Sequence, residues 1–341
     1  MDQPIQPIVD ALSRPLKDLR ISVTDRCNFR CTYCMPKEIF GSNYSFLPHE
    51  KILTFEEVER LVRIFSQLGV EKIRITGGEP LLRKDLEELI HKIALVDTIR
   101  DIALTTNASM LTLQRAQRLR EAGLKRLTVS LDSLQDNIFG SMNGVRFPVQ
   151  RVLQGIQAAK EAGFTSVKVN MVVQKGKNDN AIIEMAEYFR GTGHVLRLIE
   201  YMDVGTTNGW SLQDVVSANE ILLKISSRWP LEPIPARSPN DVAKRYRYLD
   251  GEGEIGLITS VTNPFCHGCS RARLSSDGKV YTCLFAADGL DIKTPMREGA
   301  SDKEIKEILC SLWQHRRDRY SEIRTDATVA LPKVEMSRIG G

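Results

Sequence analysis

The sequence lacks several features that would place the chain in a membrane or on a nucleic acid. No run of about 18 apolar residues occurs, which argues against a membrane-spanning helix. Residues 1–7 have neither a basic start nor an apolar core, so no signal peptide is predicted. The formal net charge is only +4, and no stripe of aromatic and basic residues occurs, which argues against a general nucleic-acid coat. We therefore expect a cytoplasmic protein that binds neither membranes nor nucleic acids.

Cysteine is scarce, yet its seven residues are clustered. They fall into two groups of three and one single residue: Cys27, Cys31 and Cys34; Cys266, Cys269 and Cys283; and Cys310. In a cytoplasmic chain thiols stay reduced, and clustered cysteines bind metals rather than form disulfides. Cys310 lies within a helical pattern and is expected to be a small, buried apolar residue.

The first cysteine group has the spacing C-x3-C-x2-C, which places three thiolates too close together to be tolerated without a cation. Soft thiolate ligands select zinc or an iron–sulfur cluster. A structural zinc would need a fourth ligand, but the nearest histidine, His49, lies beyond a loop. The spacing therefore favours an iron–sulfur cluster whose open position binds a further ligand, and zinc stays the alternative.

The first two thirds of the sequence alternate between strand patterns and amphipathic helix patterns. Six strands are predicted, at residues 19–24, 72–76, 102–107, 127–132, 167–173 and 195–202, and a helix follows each of them. Such alternation predicts an α/β fold with a parallel sheet and right-handed crossovers. The pattern alone fits either an open doubly wound sheet or an incomplete barrel. In both folds the ligand site lies at the carboxyl ends of the strands.

The composition changes at residues 229–235, which contain three prolines and are predicted to be a linker. Shorter alternating segments follow, with a hairpin turn at Asp277-Gly278 and a helix at residues 302–315. We therefore predict two units. Residues 1–235 form the strand–helix domain, and residues 236–341 form a smaller, largely antiparallel region that carries the second cysteine group.

Several predicted strands carry polar side chains two residues apart, where a buried parallel strand would be apolar on both faces. The basic ones are Arg20, Arg74, Lys168 and Arg197, and the others include Thr105, Asn107, Ser130 and Asp132. Burying a cation without a partner costs several kcal/mol, so this face must be wet, paired or filled by a ligand. Four basic side chains on four strands favour a lumen that binds a polyanion over a set of isolated edge charges.

Two further arginines, Arg271 and Arg273, follow Cys269 and point to the same side of a predicted strand. Arginine is suited to bidentate phosphate binding, and a solvated edge strand guarded by charge is the alternative. The turn Gly77-Gly78-Glu79-Pro80 ends another strand, and its glycines predict a close approach of the backbone to a ligand.

These residues carry a family resemblance. The motif Cys27-x3-Cys31-x-Tyr33-Cys34, with the glycine turn after the second strand, resembles the radical S-adenosylmethionine (SAM) superfamily. The second cysteine group with its two arginines, residues 199–205 and the final Gly340-Gly341 narrow the match. Together they resemble the GTP 3′,8-cyclases of molybdenum cofactor biosynthesis over essentially the whole chain.

The resemblance implies a fold, cofactors and a set of ligand contacts. The fold is an incomplete (β/α)6 TIM-type barrel with a C-terminal region that closes it. Each cysteine group holds a [4Fe–4S] cluster; the open iron of the first binds SAM, and that of the second faces the guanine base of GTP. The positions that match SAM contacts are Tyr33, Gly78, Ser130 and Met202. Those that match GTP contacts are Arg20, Arg74, Thr105, Lys168, Arg271 and Arg273, with Arg197 as a further candidate.

The resemblance also implies a lyase-type radical reaction. A 5′-deoxyadenosyl radical removes the 3′-hydrogen of GTP ribose, and attack on C8 gives (8S)-3′,8-cyclo-7,8-dihydroguanosine 5′-triphosphate. Arg271 and Arg273 are the candidate catalytic residues, because they could position or assist the final reduction. An electron donor is required, a cyclic pyranopterin monophosphate synthase takes the product onward, and a homodimer is compatible with the sequence. In the family the double-glycine tail reaches into the active site, whereas a terminal tail is by default frayed.

Three other functions fit parts of the pattern. Another radical SAM enzyme with an auxiliary cluster, such as a peptide-modifying one, would usually carry a longer C-terminal cysteine series. A zinc-stapled nucleic-acid-binding protein would have a basic surface and two zinc ions per chain. A pure electron carrier would need neither six strand–helix units nor a polar lumen.

Overall fold

The computed structural model describes residues 7–236, 238, 241–329 and 331–340, and the predictions for residues 1–6 and for Gly341 lie outside this part of the chain. The strands are β1 (Asp18–Ser22), β2 (Lys72–Thr76), β3 (Asp101–Thr106), β4 (Arg126–Ser130), β5 (Lys168–Val173), β6 (Val195–Glu200), β7 (Leu231–Ile234), β8 (Lys244–Tyr248), β9 (Glu254–Ile258), β10 (Arg271–Leu274), β11 (Lys279–Tyr281) and β12 (Leu290–Asp291). The helices are α1 (Phe55–Ser66), α2 (Leu86–Ala94), α3 (Leu113–Glu121), α4 (Asp136–Met142), α5 (Val149–Glu161), α6 (Ile182–Phe189), α7 (Ala218–Ser226), α8 (Lys293–Arg297), α9 (Asp302–Gln314), α10 (Asp326–Val329) and α11 (Met336–Ile339).

Strands β1 to β6 form the parallel sheet that the sequence predicts. They lie side by side in chain order, and each neighbouring pair is parallel. Each predicted strand overlaps an observed one, although β1, β4 and β6 end two residues earlier than predicted. The residues beyond these three strand ends belong to the loops that build the site.

The C-terminal strands extend both edges of this sheet. On one side β10 pairs in parallel with β1, and on the other β9 pairs in parallel with β6. Antiparallel pairing then continues outward from β10 through β11 to β12 and from β9 through β8 to β7. The predicted antiparallel hairpins are therefore present, but they belong to the same twelve-stranded sheet of the described residues.

The prediction of a linker at residues 229–235 is wrong for its central part. Residues Leu231–Ile234 form strand β7, which pairs with β8 at the outer edge of the sheet. Pro233 stands opposite Tyr246 in this pair. An edge strand tolerates proline because only one side of the strand needs to donate hydrogen bonds. The proline content therefore marks an edge strand here rather than an irregular connection.

The sheet curls around a cavity but does not close into a full barrel. Side chains from widely separated strands line one cavity, from Arg273 of β10 through Arg74 of β2 to Arg197 of β6. Strand β1 has β10 and β2 as neighbours, so β1 and β6 do not pair with each other. This arrangement is the predicted incomplete barrel, and it resolves the choice that the alternation of strands and helices leaves open.

The strands separate an apolar outer face from a polar inner face. In β2, Ile73 and Ile75 are buried, whereas Lys72 and Arg74 are only half-buried. The outer residues pack under amphipathic helices such as α1, which begins with a capping box at Thr54. The polar strand residues therefore face the lumen because the helices cover the opposite face. No helix within the described ranges is both long enough and apolar enough to span a membrane.

The single helix predicted between β4 and β5 is two helices, α4 and α5. A turn at residues 143–148 separates them, and Pro148 stands directly before α5. Gly144 in this turn has φ +69°, and a Cβ atom there would overlap the carbonyl oxygen of Arg30. The turn therefore exists to receive the first cysteine loop, which the helical pattern of the sequence does not reveal.

Candidate functional site

One cavity of about 320 Å³ brings together most of the residues predicted to be functional. All six clustered cysteines line it: Cys27, Cys31, Cys34, Cys266, Cys269 and Cys283. Ten of the eleven other candidates also line it: Arg20, Tyr33, Arg74, Gly78, Thr105, Ser130, Arg197, Met202, Arg271 and Arg273. Lys168 does not; it is the first residue of β5 and lies half-buried near Arg197. Residues that are far apart in the sequence therefore line the same cavity.

The two cysteine groups lie at opposite ends of the pair formed by β1 and β10. These strands are parallel, with Asp18 opposite Arg271. The first group follows the carboxyl end of β1, whereas Cys266 and Cys269 precede the amino end of β10. Cys283 follows β11, which runs antiparallel to β10 and so returns to the same end. The arginines of β1 and β10 therefore lie between the two groups.

The first cysteine loop is held in shape by its own backbone and by Arg30. The N–H groups of Cys34 and Met35 both donate to the carbonyl of Cys31, at 2.9 and 2.8 Å. The Arg30 guanidinium donates to the carbonyls of Cys27 at 2.7 Å and Phe40 at 2.6 Å. Because these bonds fix the loop from inside, the three thiols keep a common orientation toward the cavity.

The glycine turn after β2 packs directly on this loop. The Gly78 N–H donates to the Thr24 carbonyl at 2.8 Å, and the Glu79 N–H donates to the Arg26 carbonyl at 2.8 Å. A Cβ atom at Gly78 would overlap the Arg26 carbonyl oxygen. The sequence predicts a close approach of this turn to a ligand. The approach that the structure shows is to the cysteine loop, although Gly78 also lines the cavity.

Two buried carboxylates beside the first cysteine group were not assigned to the site from the sequence. Glu79 accepts hydrogen bonds from the Thr106 hydroxyl at 2.7 Å and the Asn107 N–H at 2.7 Å. Asp132 accepts one from the Tyr33 hydroxyl at 2.8 Å. Burial raises the pKa of each carboxyl group to about 6. The glycine turn and the polar strand ends were the signals for these residues, but neither signal indicates a carboxylate role.

The buried thiols require a cation to be ionised. Burial raises the pKa of Cys27 to about 12 and that of Cys283 to about 11. It also raises the pKa of Cys31 and of Cys34 well above the usual range, and neighbouring thiolates add to the effect. Thiolate donors in such surroundings are stable when a metal centre supplies positive charge.

Cys269 differs from Cys27, Cys31, Cys34 and Cys283. Its Sγ accepts hydrogen bonds from Arg271 Nη2 at 3.3 Å and from Arg316 Nη2 at 3.1 Å. Burial alone would raise its pKa, but the two guanidinium groups lower it to about 6. Arg316 also donates to the Cys269 carbonyl at 2.7 Å and lies near Asp10. Asp10 and Arg316 therefore support the second cysteine group, a role for which the sequence offered no motif.

Three arginines stand directly opposite one another on adjacent strands. Arg20 of β1 faces Arg273 of β10 on one side and Arg74 of β2 on the other. Burial and these neighbours lower the pKa of Arg20 well below its usual value. Burial, with the cations around them, also lowers the pKa of Arg74 and Arg273 to about 10. Such a group of like charges is stabilised by binding an anion.

The basic lining continues toward β5 and β6. Burial and other cations lower the pKa of Arg197 to about 9 and that of Lys168 to about 7. Arg74 Nη1 donates to the hydroxyl groups of Thr105 and Thr128, each at 3.2 Å. These threonine hydroxyls orient the guanidinium without neutralising it. The lumen therefore carries a concentration of positive charge, as the strand pattern predicts.

The C-terminal tail enters the cavity. Arg273 Nη1 donates to the carbonyl of Gly340. Gly340 has φ +72°, and a Cβ atom there would overlap the side chain of Thr76 at the end of β2. Only glycine fits this narrow passage without strain. The described part of the tail is thus packed inside the protein rather than frayed.

The comparisons with known proteins agree with this site. A family model described as the Radical SAM superfamily matches residues 21–189, and one described as Molybdenum Cofactor Synthesis C matches residues 194–322. A GTP 3′,8-cyclase of Acidothermus cellulolyticus is 50% identical over 98% of this chain and 99% of its own length. A GTP 3′,8-cyclase of Staphylococcus aureus is 50% identical over 99% of this chain and 100% of its own. The chain belongs to the GTP 3′,8-cyclase family.

Membership of the GTP 3′,8-cyclase family confirms the predicted enzyme class and implies SAM and [4Fe–4S] clusters as cofactors. The fold has a more distant match. The crystal structure of Streptococcus suis SuiB bound to S-adenosylmethionine has a TM-score of 0.60 and 16% identity, covering 88% of this chain and 66% of that chain. At this identity the likeness shows the fold alone, which agrees with the predicted incomplete barrel, and the radical SAM assignment rests on the family model.

The donor set of this GTP 3′,8-cyclase family member fits clusters. Within the described ranges, no three His, Cys, Asp or Glu side chains converge as ligands of a single metal ion. Cysteines of a cluster bind different irons, so their sulfurs lie farther apart than those around one ion. Each group offers three soft thiolates and no fourth protein ligand among its cysteines, which suits a cluster with one open iron.

The domain boundary that the sequence predicts between residues 235 and 236 stays a prediction.

Proposed function

We propose that this chain converts GTP into (8S)-3′,8-cyclo-7,8-dihydroguanosine 5′-triphosphate, the first step of molybdenum cofactor biosynthesis. The observation that carries the proposal is the single cavity with a three-cysteine group at each end and arginines between them. The GTP 3′,8-cyclases that resemble the chain along its full length support the same substrate. A nucleotide triphosphate spanning this space would neutralise the opposed arginines and reach both cysteine groups.

In this proposal Cys27, Cys31 and Cys34 hold one [4Fe–4S] cluster, and Cys266, Cys269 and Cys283 hold the other. When bound, the first cluster and SAM supply the one-electron chemistry that removes the ribose 3′-hydrogen. The residues around the first group would orient SAM. They are Tyr33, which Asp132 fixes by a 2.8 Å hydrogen bond, together with Gly78, Ser130 and Met202, which line the same cavity.

The basic lining would hold the substrate. Arg20, Arg74 and Arg273 stand in register on adjacent strands, so a triphosphate could bind to several of them at once. Thr105 orients Arg74, and Arg197 extends the charge toward β6. Lys168 lies outside the cavity lining and would act through its charge near Arg197. In this proposal these contacts would hold the ribose between the two cysteine groups, away from bulk water.

Arg271 and Arg273 are the candidate catalytic residues. Arg271 donates to Cys269 Sγ at 3.3 Å, while Arg273 faces Arg20 and touches the tail. Arg271 therefore lies at the second cysteine group, where the base of a bound nucleotide would lie, and Arg273 lies two residues further along β10 among the arginines that would bind the triphosphate. From there they could position the product radical or assist the reduction that ends the reaction.

The proposal includes partners that complete the pathway. The reaction needs an external electron donor, and its product needs a cyclic pyranopterin monophosphate synthase to rearrange it further. A homodimer is compatible with the proposal but is not required by the site, whose predicted residues all come from one chain. A cytoplasmic location is part of the proposal, since cluster thiols must stay reduced.

Metal content and turnover test the proposal first. Anaerobic reconstitution should give about eight irons per chain, from two four-iron clusters held by cysteine. Incubation with GTP, SAM and a strong reductant should then yield 5′-deoxyadenosine and a cyclised nucleotide. Little iron, two zinc ions per chain, or equal turnover of ATP and GTP would contradict the proposal.

Replacing Cys283→Ser separates the two ends of the cavity. Because Cys283 belongs to the second group only, SAM binding should survive while GTP binding weakens and iron falls toward four per chain. Cys310→Ser is the matched control, since Cys310 lies in α9 and does not line the cavity. An equal loss of SAM and GTP binding in Cys283→Ser would mean that the second site has been assigned to the wrong ligand.

A further inference from the structure

The C-terminal segment is joined to the loop after β6 by a buried carboxylate. Asp203 lies in this loop and is only 2% exposed. It accepts hydrogen bonds from the hydroxyl of Tyr320, from Arg324 Nε at 3.0 Å and from Lys333 Nζ at 3.0 Å. Lys333 also donates to the Asp203 carbonyl at 3.1 Å and to the Val329 carbonyl at 3.0 Å. Three side chains spread over fourteen residues of the C-terminal segment thus converge on one aspartate.

A second carboxylate joins the same two parts of the chain, but it belongs to the C-terminal segment and its partners belong to the loop after β6. Glu335 lies in the C-terminal segment and accepts hydrogen bonds from the N–H and the hydroxyl of Thr206, each at 3.0 Å, and from the hydroxyl of Thr207 at 3.0 Å. Gly205 leaves the space for this contact. It has φ +67°, and a Cβ atom there would overlap the Glu335 carboxylate.

The connection borders the cavity from both sides. The loop that carries Asp203 begins at Tyr201, directly after β6, and its residues Met202 and Val204 line the cavity. On the other side, Met336 lines the cavity, and Gly340 reaches Arg273 only four residues later. The Gly340 N–H closes the last helical turn by donating to the Met336 carbonyl at 2.8 Å. Whatever fixes Glu335 therefore also fixes where the Gly340 carbonyl lies.

Arg273 needs such a fixed partner. It stands opposite Arg20 and is 5% exposed, so repulsion from neighbouring cations would drive it away from them. Among the described residues, Arg273 Nη1 donates to the carbonyl of Gly340 and, at 3.5 Å, to that of Ile339, and these contacts leave Nε and Nη2 for an anion. A buried guanidinium with one fixed carbonyl partner is a pre-organised anion site, which binds its ligand without first being ordered.

We propose that Asp203 and Glu335 are positioning residues, which lock the C-terminal segment in the cavity so that Gly340 orients Arg273 toward the anionic group of the substrate. The identity of that group as a triphosphate rests on the proposed function. The lock itself rests on the contacts of Asp203 and Glu335. Removing it frees the segment, leaves Arg273 without its carbonyl partner and weakens binding of the anion before any chemistry begins.

The test combines a structural measurement with steady-state kinetics on the reconstituted full-length protein. Glu335→Gln should speed amide hydrogen exchange in residues 334–340 by about 10-fold, and leave exchange in β1 to β6 unchanged. The same variant should raise the KM for GTP about 10-fold and lower kcat by a smaller factor, because the interaction that orients the bound anion is lost from both the ground and the transition state, whereas Arg273 itself is kept.

Two further variants and a control make the test specific. Gly205→Ala should reproduce both effects, because its methyl group displaces Glu335 from the other side. Asp203→Asn should exceed them, since it weakens three contacts, and Glu335→Gln keeps the test valid if this buried change prevents folding. Glu187→Gln is the matched control: it removes an exposed ion pair with Arg228 and should change neither readout.

The possible results separate this inference from the proposed function. Unchanged exchange in both Glu335→Gln and Gly205→Ala would overturn the lock, and so would faster exchange with an unchanged KM. Exchange needs no turnover, so it still decides whether the two carboxylates hold the segment if the wild-type protein makes no product from GTP. That second result would overturn the proposed function instead.

Discussion

At the scale of residues, the site is dominated by charges that are buried before any ligand arrives. Arg20, Arg74 and Arg273 oppose one another across three strands, and each has its pKa lowered by burial and by neighbouring cations. Folding this arrangement costs free energy that binding of an anion returns. Other contacts must offset this free-energy cost of folding, and buried, hydrogen-bonded residues such as Asp10 and Arg316 supply some of them.

Arg316→Met tests one of these supports. The Arg316 side chain is 1% exposed and donates to Cys269 Sγ and to the Cys269 carbonyl, at 3.1 and 2.7 Å. Its loss should lower the free energy of unfolding by roughly 3 kcal/mol, since buried partners are left unsatisfied. Arg319→Met is the control, because the Arg319 side chain is 54% exposed in its ion pair with Glu322, and this pair should contribute less than about 1 kcal/mol. Urea unfolding of the metal-free proteins measures both, and equal losses would contradict the assigned role.

Glu79 predicts a pH dependence of stability. Burial raises its pKa to about 6 in the folded protein. A raised pKa means that the group's stabilising contribution is complete below the unfolded pKa near 4.5 and is lost as the pH rises through 6. Between pH 4.5 and 7 the wild type should therefore lose about 2 kcal/mol more of its free energy of unfolding than Glu79→Gln does. Asp132 titrates in both proteins and cancels, and parallel pH profiles would contradict the prediction.

At the scale of elements, the sequence predicts where strands and helices lie better than it predicts what their ends touch. The six strands follow from local patterns, and the structure confirms them. The edge strand at residues 231–234 was missed because proline argues against a central strand, while edge position is a property of the whole sheet. The break between α4 and α5 is not predicted, because it depends on the close packing of Gly144 against the Arg30 carbonyl, and these residues are more than 100 positions apart in the sequence.

The residues of the candidate site also fall into two groups, those that the sequence predicts and those that it does not. Spacing and strand register identify the cysteines and most of the basic residues, because these signals are local and periodic. Lys168 shares the register of Asn170, yet it stands at the start of β5 and falls outside the cavity lining. Asp10, Arg316, Asp203 and Glu335 act through contacts between distant segments. No local sequence pattern predicts such contacts.

Gly78→Ala tests the junction of two loops. A methyl group at this position would overlap the Arg26 carbonyl and push the turn away from the first cysteine loop. We expect reconstituted iron to fall toward four per chain, with the second group still loaded. Gly176→Ala is the control: its φ of +73° costs about 1 kcal/mol of strain, but nothing lies within 4 Å of its new methyl group. Full iron in Gly78→Ala would show that the junction tolerates displacement.

At the scale of the whole molecule, the two regions predicted from the sequence share one sheet. Strands β9 and β10 cover the edges of β6 and β1, so the C-terminal region completes the partial barrel as well as carrying the second cysteine group. The core of the strand–helix domain is therefore continuous with the strands that follow it. If the two regions were independent folding units, each would form its own sheet, and the strands of one region would not pair with the edge strands of the other.

A truncated chain of residues 1–235 should consequently aggregate. Removing the later strands exposes both edges of a parallel sheet, and such edges pair with other chains. Size-exclusion chromatography of the expressed protein measures this, and co-expression of residues 236–341 should restore a soluble complex. Deletion of residues 331–341 alone is the control, since it leaves every strand in place. A monomeric 1–235 chain with a cooperative unfolding transition would instead favour two independent domains.

The position of β10 beside β1 also has a consequence for how the protein is made. The ribosome releases β1 early, but the partner of β1 follows about 250 residues later, which corresponds to roughly ten to fifty seconds of translation. During this interval the nascent chain presents an unpaired strand edge, with the first cysteine loop directly attached to it. The loop that carries Cys27, Cys31 and Cys34 is therefore synthesised long before the last strands and the tail that line the same cavity. The enclosure of the first cysteine group thus depends on one of the last strand pairings that the chain can make.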